Sequence, residues 1–64
     1  MVRNNLFNMM NQLVQESKSV WRIKNQYMQE AVGSDDMMAL WKEIEKAKED
    51  HITKLQALIK KYNA

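Results

Sequence analysis

The chain has 64 residues, with ten Lys and Arg, eight Asp and Glu, and no cysteine. A chain this short usually needs a disulfide, a metal or a partner chain for stability, and the lack of cysteine excludes the disulfide. The slight excess of positive charge is too small to predict strong nucleic-acid binding. The sequence contains no run of about 18 apolar residues, so no membrane span is predicted. We therefore expect one domain over residues 1–64 that is completed by association.

A single glycine, Gly33, divides this proline-free chain into two uninterrupted halves. In the first half, apolar residues recur at intervals of seven, which is the spacing of one helix face. Three adjacent rows share this spacing: Leu6, Leu13, Val20 and Tyr27; Phe7, Val14, Trp21 and Met28; and Met10, Ser17, Lys24 and Ala31. They predict helix one over about residues 4–31, with the three rows as a stripe that faces a core.

A turn is predicted over residues 32–34, because Gly33 can adopt the left-handed conformation that ends a helix. Ser34 can cap the helix that follows, and the acidic residues after it favour a helix start. Helix two is predicted over about residues 35–62. Its inward rows are Trp41, Lys48, Leu55 and Tyr62, followed by Met37, Ile44, His51 and Leu58.

Both predicted helices are about 40 Å long at 1.5 Å per residue, and so short a connection makes them antiparallel neighbours. The expected fold class is all-α, an antiparallel two-helix hairpin. Two helices cannot cover stripes this wide, so we expect two copies to assemble into a homodimeric four-helix bundle. The residues predicted to carry self-association are Phe7, Met10, Leu13, Val14, Val20, Trp21, Trp41, Ile44, Ile52, Leu55, Leu58 and Ile59.

Both predicted inward stripes become polar at the same level, near the middle of each helix. There Ser17 of helix one faces Lys48 and His51 of helix two. We interpret these residues as a polar core layer that fixes the register, with Lys48 extending to solvent or pairing with Glu16 or a carboxylate of the partner chain. The alternative is a metal or proton-handling site around His51 in the bundle centre.

Residues 45–55 resemble the second helix of a ferritin-like or rubrerythrin-like helix pair, whose metal motif is Glu-x-x-His with a further Glu on the preceding helix. His51 matches the histidine of this motif, and Glu16 is similar in place to the first-helix carboxylate. Lys48 stands where the motif has its Glu, and a cation there opposes a metal ion. The resemblance implies half of a ferritin-like bundle, whereas Lys48 argues against a di-iron centre.

Sequence signatures of catalysis are lacking: there is no Gly-rich phosphate loop, no nucleophile elbow and no His-Glu-x-x-His helix. We therefore predict a non-enzymatic interaction or scaffold module with no catalytic residue and no cofactor. Its predicted partners are a second copy and a further, unidentified protein. The polar start of the chain lacks an apolar targeting segment, which predicts a cytoplasmic location.

RNA binding by the dimeric hairpin is the alternative from another class. Lys18 and Arg22 of helix one, with Lys42 and Lys46 of helix two, would form a shallow basic strip. Phosphate contacts from such a strip would release counterions. Neighbouring glutamates dilute the strip, so nucleic acid is the less favoured partner. The balanced charge also disfavours a hairpin that lies on a membrane.

Overall fold

The computed structural model describes residues 2–63 and is helical almost throughout. Helix α1 spans Val2–Arg22, a π-helical turn spans Ile23–Tyr27, and α2 spans Met28–Glu30. These three elements follow one another without a break and together form helix one. Helix α3, Asp35–Tyr62, is helix two. The all-α prediction is confirmed; the single-domain prediction also includes residues 1 and 64, which lie outside the described residues.

The turn between the helices depends on Gly33, whose φ is 95°. Glycine adopts this left-handed conformation without the steric cost that a Cβ would add. Ser34 follows in an extended conformation, and its carbonyl accepts the Met38 N–H at 3.0 Å. The Ser34 hydroxyl donates to Asp36 Oδ1 at 2.7 Å, and the same oxygen accepts the Met37 N–H at 2.8 Å. The Ser34 side chain was expected to cap helix two by accepting a backbone N–H, but it makes no such hydrogen bond. The Asp36 carboxylate accepts the Met37 N–H instead.

The two helices lie side by side and run in opposite directions. Glu16 of helix one contacts Lys48, whereas Tyr27, later in helix one, contacts Trp41, earlier in helix two. The described chain measures 47 × 15 × 15 Å, the shape expected of two long helices packed side by side. Its buried apolar side chains are few: Val20 and Ile23 in helix one, and Ala31 in the turn directly after it.

The face of helix one that packs against helix two is not the whole stripe predicted from the sequence; it is rotated by about one residue. The row of Leu6, Leu13, Val20 and Tyr27 does face helix two, and so does the row of Met9, Glu16 and Ile23. Phe7, Val14 and Trp21 were expected to share this inward face, but they are exposed. A single neighbouring helix covers only a narrow seam of its partner, so one flank of a wide apolar stripe remains outside.

The π-helical turn over Ile23–Tyr27 was not predicted from the sequence. Such a turn inserts an extra residue into an α-helix and so rotates everything that follows. It begins at Ile23, the most deeply buried of the described side chains at 1% exposed, and ends at Tyr27, whose ring lies against Trp41 at a tilt of 37° with centroids 4.8 Å apart.

Candidate interaction surface

Helix one carries a row of exposed apolar side chains along one face. Phe7 is 64% exposed, Val14 is 48% exposed and Trp21 is 57% exposed, and Met10 lies beside them. Their spacing of three, four and seven residues places them along one face of the helix. We call these four residues the helix-one row. Two aromatic rings exposed in line on a chain of this size make this row a candidate interaction surface.

Two shallow grooves run between the helices, one on each side of the pair. One groove is lined by Ser17, Val20, Glu49, Ile52 and Thr53, and we call this the Ser17 side. The other is lined by Gln12, Glu16, His51, Lys54, Leu55 and Leu58, and we call this the His51 side. Ser17 lies three residues after Val14 and four before Trp21, so the helix-one row runs along the Ser17 side.

Helix two exposes its own apolar residues on the opposite side of the pair. Leu40 and Leu58 are exposed and lie at helical spacings from His51, which places them on the His51 side. Met37 is also exposed, but it lines a separate groove near the turn with Tyr27, Glu30, Ala31 and Trp41. The helix-one row therefore does not share a side with Leu40 and Leu58.

Glu16 is the buried acidic side chain of the interface between the helices. Its Oε2 accepts a hydrogen bond from the Lys48 ammonium at 3.1 Å, and its Oε1 accepts one from the Gln12 amide at 3.0 Å. The hydrogen bond from Lys48 lowers the pKa of the Glu16 carboxyl below its ordinary value, while burial partly opposes this shift. The pair joins the centres of the two helices.

The predicted polar core layer is therefore arranged differently from the prediction. Lys48 does face the neighbouring helix and pairs with Glu16, one of the partners considered for it. Ser17 and His51, however, are exposed in the single chain and line grooves on opposite sides of the pair. The cause is again the rotation of helix one, whose contact face with helix two includes Glu16 and not the adjacent Ser17. The heptad row of Met9, Glu16 and Ile23 carried this signal in the sequence.

The residues predicted for self-association divide into two groups. Seven of them are buried or half-buried against the other helix of the same chain: Leu13, Val20, Trp41, Ile44, Ile52, Leu55 and Ile59. The other five are exposed and available to a partner: Phe7, Met10, Val14, Trp21 and Leu58. The sequence combined both groups because heptad spacing alone does not say which of two adjacent rows meets the neighbouring helix.

The alternative metal site would depend on Glu16 and His51, which both line the groove on the His51 side. Among residues 2–63, no group of three or more His, Cys, Asp or Glu is placed to hold a metal ion. The Lys48 ammonium occupies one oxygen of Glu16. Glu16 is therefore paired with Lys48, and His51 lies beside this ion pair in the same groove.

The predicted basic strip is divided by the fold. Lys42 and Lys46 lie at helical spacings from Glu49, which places them on the Ser17 side. Arg22 lies about 140° around helix one from Ser17, at 100° per residue, and so points away from these lysines. A cation that the prediction left out, Lys24, contacts Glu49 at 3.4 Å and Glu45 at 3.8 Å. Lys18, the remaining residue of the predicted strip, lies one helical turn before Arg22 on the same face of helix one, so the two cations of helix one and the two of helix two lie on different faces of the pair.

Comparison of the chain with protein-family models, with curated proteins and with solved structures finds no match. Within the described residues, no helix is both long enough and apolar enough to cross a membrane.

Proposed function

We propose that this protein is a non-enzymatic interaction module that works as a homodimer, with the helix-one row as its contact surface. The observation that carries the proposal is the exposure of Phe7, Val14 and Trp21 in line on one face. Removing such side chains from water stabilises an assembly by about 25 cal/mol for each Å² of apolar surface. A second copy presents an identical row, so one surface serves both partners.

The small core of the single chain supports the same proposal. Ile23, Val20 and Ala31 are its buried apolar residues, and most other apolar side chains are half-buried or exposed. A core of this size gives a chain of 64 residues little stability of its own. Association of two helix pairs through their helix-one rows produces a four-helix assembly with a second apolar layer at its centre.

The position of the helix-two apolar residues suggests the scaffold role. Because Leu40 and Leu58 lie on the opposite side of the pair from the helix-one row, a dimer formed through that row leaves them outside. They would then be available to a different protein. In this arrangement one side of each helix pair serves self-association, and the other side serves the further partner.

Molar mass in solution tests the homodimer. At micromolar concentration, light scattering should give twice the chain mass for the wild type. The double substitution Phe7→Ser and Trp21→Ser should give a monomer, because it removes both aromatic side chains from the row. The matched control is Leu40→Ser with Leu58→Ser, which removes two exposed apolar side chains from the other side and should leave the dimer intact. A wild-type monomer, or a control that dissociates as readily as the test variant, would contradict the proposal.

A further inference from the structure

The spacing within the helix-one row makes this surface complementary to a reversed copy of itself. Phe7 and Trp21 lie at equal distances, seven residues, on either side of Val14. We propose that two copies meet with their helix-one rows antiparallel and Val14 on the two-fold axis, so that Phe7 of each copy contacts Trp21 of the other. This inference rests on the self-association proposed above and specifies its geometry.

Reversal of the second copy also matches large side chains with small ones. Ser17 interrupts the helix-one row, because its side chain is far smaller than those of its neighbours. In the antiparallel arrangement centred on Val14, paired positions add up to 28, so Met10 of one copy is level with Lys18 of the other and lies one residue, about 1.5 Å along the axis, from Ser17; this happens twice. Interfaces pack to high density when a large residue faces a small one, and the flexible Met side chain fills irregular gaps.

A parallel arrangement packs the same row less evenly. It would place Phe7 against Phe7 at one end and Trp21 against Trp21 at the other, with two Val14 side chains between them. The separation of the helices would then have to differ between the two ends. In the antiparallel arrangement both ends hold the same Phe7–Trp21 contact, so one separation suits both, and aromatic pairs of this kind add to the stability from burial alone.

The charges beside the row permit the contact. Three cations of helix one lie near the row: exposed Arg3 one turn before Phe7, exposed Lys18 one turn after Val14, and Lys24 one turn beyond Trp21. Lys24 is held by Glu45 and Glu49 of its own chain. With Val14 on the axis, Arg3 lies at the level of Asn25 of the other copy, Lys18 at the level of Met10 and Lys24 at the level of Asn4, so no cation directly faces a cation.

The chain has no cysteine, so introduced cysteines can report the orientation. Asn4 and Asn25 lie at nearly equal distances on either side of Val14, outside the helix-one row. With antiparallel rows, position 4 of one copy lies beside position 25 of the other, whereas identical positions lie about 30 Å apart at 1.5 Å per residue. The variants are Asn4→Cys, Asn25→Cys and Val14→Cys, with Gln15→Cys as the control on another face of helix one.

Each variant is treated with a short bis-maleimide, alone and mixed with the others. We expect Val14→Cys to cross-link to itself, and Asn4→Cys to cross-link to Asn25→Cys only in the mixture. Gln15→Cys should not cross-link at all. Self-cross-linking of both Asn4→Cys and Asn25→Cys would overturn the antiparallel orientation in favour of a parallel one. A dimer by light scattering without any of these cross-links would also overturn this inference while leaving self-association intact, whereas a monomer would overturn self-association itself.

Discussion

The Lys48 ammonium lies 3.1 Å from Glu16 Oε2, and this contact joins the middle of helix two to the middle of helix one. The side chains retain 27% and 11% of their exposure, so both charges are largely removed from water. The stability of the fold depends on keeping both partners, because a buried carboxylate without a partner loses its hydration and gains no ion pair in return.

Removing one member of this pair should therefore destabilise the protein. We expect Lys48→Met to lower the free energy of unfolding by about 1–3 kcal/mol, measured by denaturant titration at fixed protein concentration. The double substitution Glu16→Leu with Lys48→Leu should restore most of this loss, because neither charge is then buried. The matched control is the exposed pair of Lys54 and Asp50, at 3.0 Å, where Lys54→Met should cost less than about 0.5 kcal/mol. Equal losses at both sites would contradict the burial argument.

The stability of the protein should fall in acid through Glu16. The pKa of its carboxyl is lowered in the folded chain, first by the hydrogen bond from Lys48, so folding favours the ionised form. The resulting stability is present above the ordinary pKa of 4.5 and is lost as the pH falls through the lower folded value. The melting temperature of the wild type should drop as the pH is lowered from about 5 to about 3.

The variant Glu16→Gln is the control for this pH dependence. It should melt lower than the wild type at neutral pH but show a smaller further drop in acid. The Asp36 carboxyl contributes to the remaining drop, since hydrogen bonds from the Ser34 hydroxyl and then the Met37 N–H lower its pKa as well. Identical acid profiles for the wild type and Glu16→Gln would refute the assignment to Glu16.

Substitution of Gly33 should test the turn. No atom lies within 4 Å of a Cβ built at this position, so a cost on Gly33→Ala would come from the backbone alone, whose φ is 95°. We expect a loss of about 1 kcal/mol for Gly33→Ala in thermal unfolding, and a smaller loss for Gly33→Asn, because Asn tolerates the left-handed region better. A more stable alanine variant would show that the turn does not need this conformation.

Metal addition should leave the protein unchanged. The Lys48 ammonium already occupies the Glu16 carboxylate, and it places a positive charge one helical turn from His51. We expect no increase in melting temperature when Zn²⁺ or Fe²⁺ is added to the wild type, and the same result for His51→Ala. An increase in the wild type that His51→Ala abolishes would revive the ferritin-like interpretation, since a ligand that binds the folded state raises its stability.

Much of the helical architecture could be predicted from local patterns. Gly33 is the single glycine of a proline-free chain, and the heptad rows on either side of it leave no regular element other than helix. The predicted ranges 4–31 and 35–62 compare with helical residues 2–30 and Asp35–Tyr62. The π-helical turn escaped prediction, because it depends on how Ile23 and Tyr27 pack against the other helix and not on the propensity of the five residues within it.

By itself the sequence determined that the chain forms two long helices, where they begin and end, and which broad stripe of each is apolar. Those properties follow from residue propensity and periodicity, which act within a few turns of the chain. Tertiary structure decided which part of each stripe is covered. The seam between the helices turns Glu16 inward and Ser17 outward, and it leaves Phe7, Val14 and Trp21 exposed on one side while Leu58 is exposed on the other. A rotation of one residue, about 100° around a helix, separates these outcomes, and only packing against the other helix fixes it.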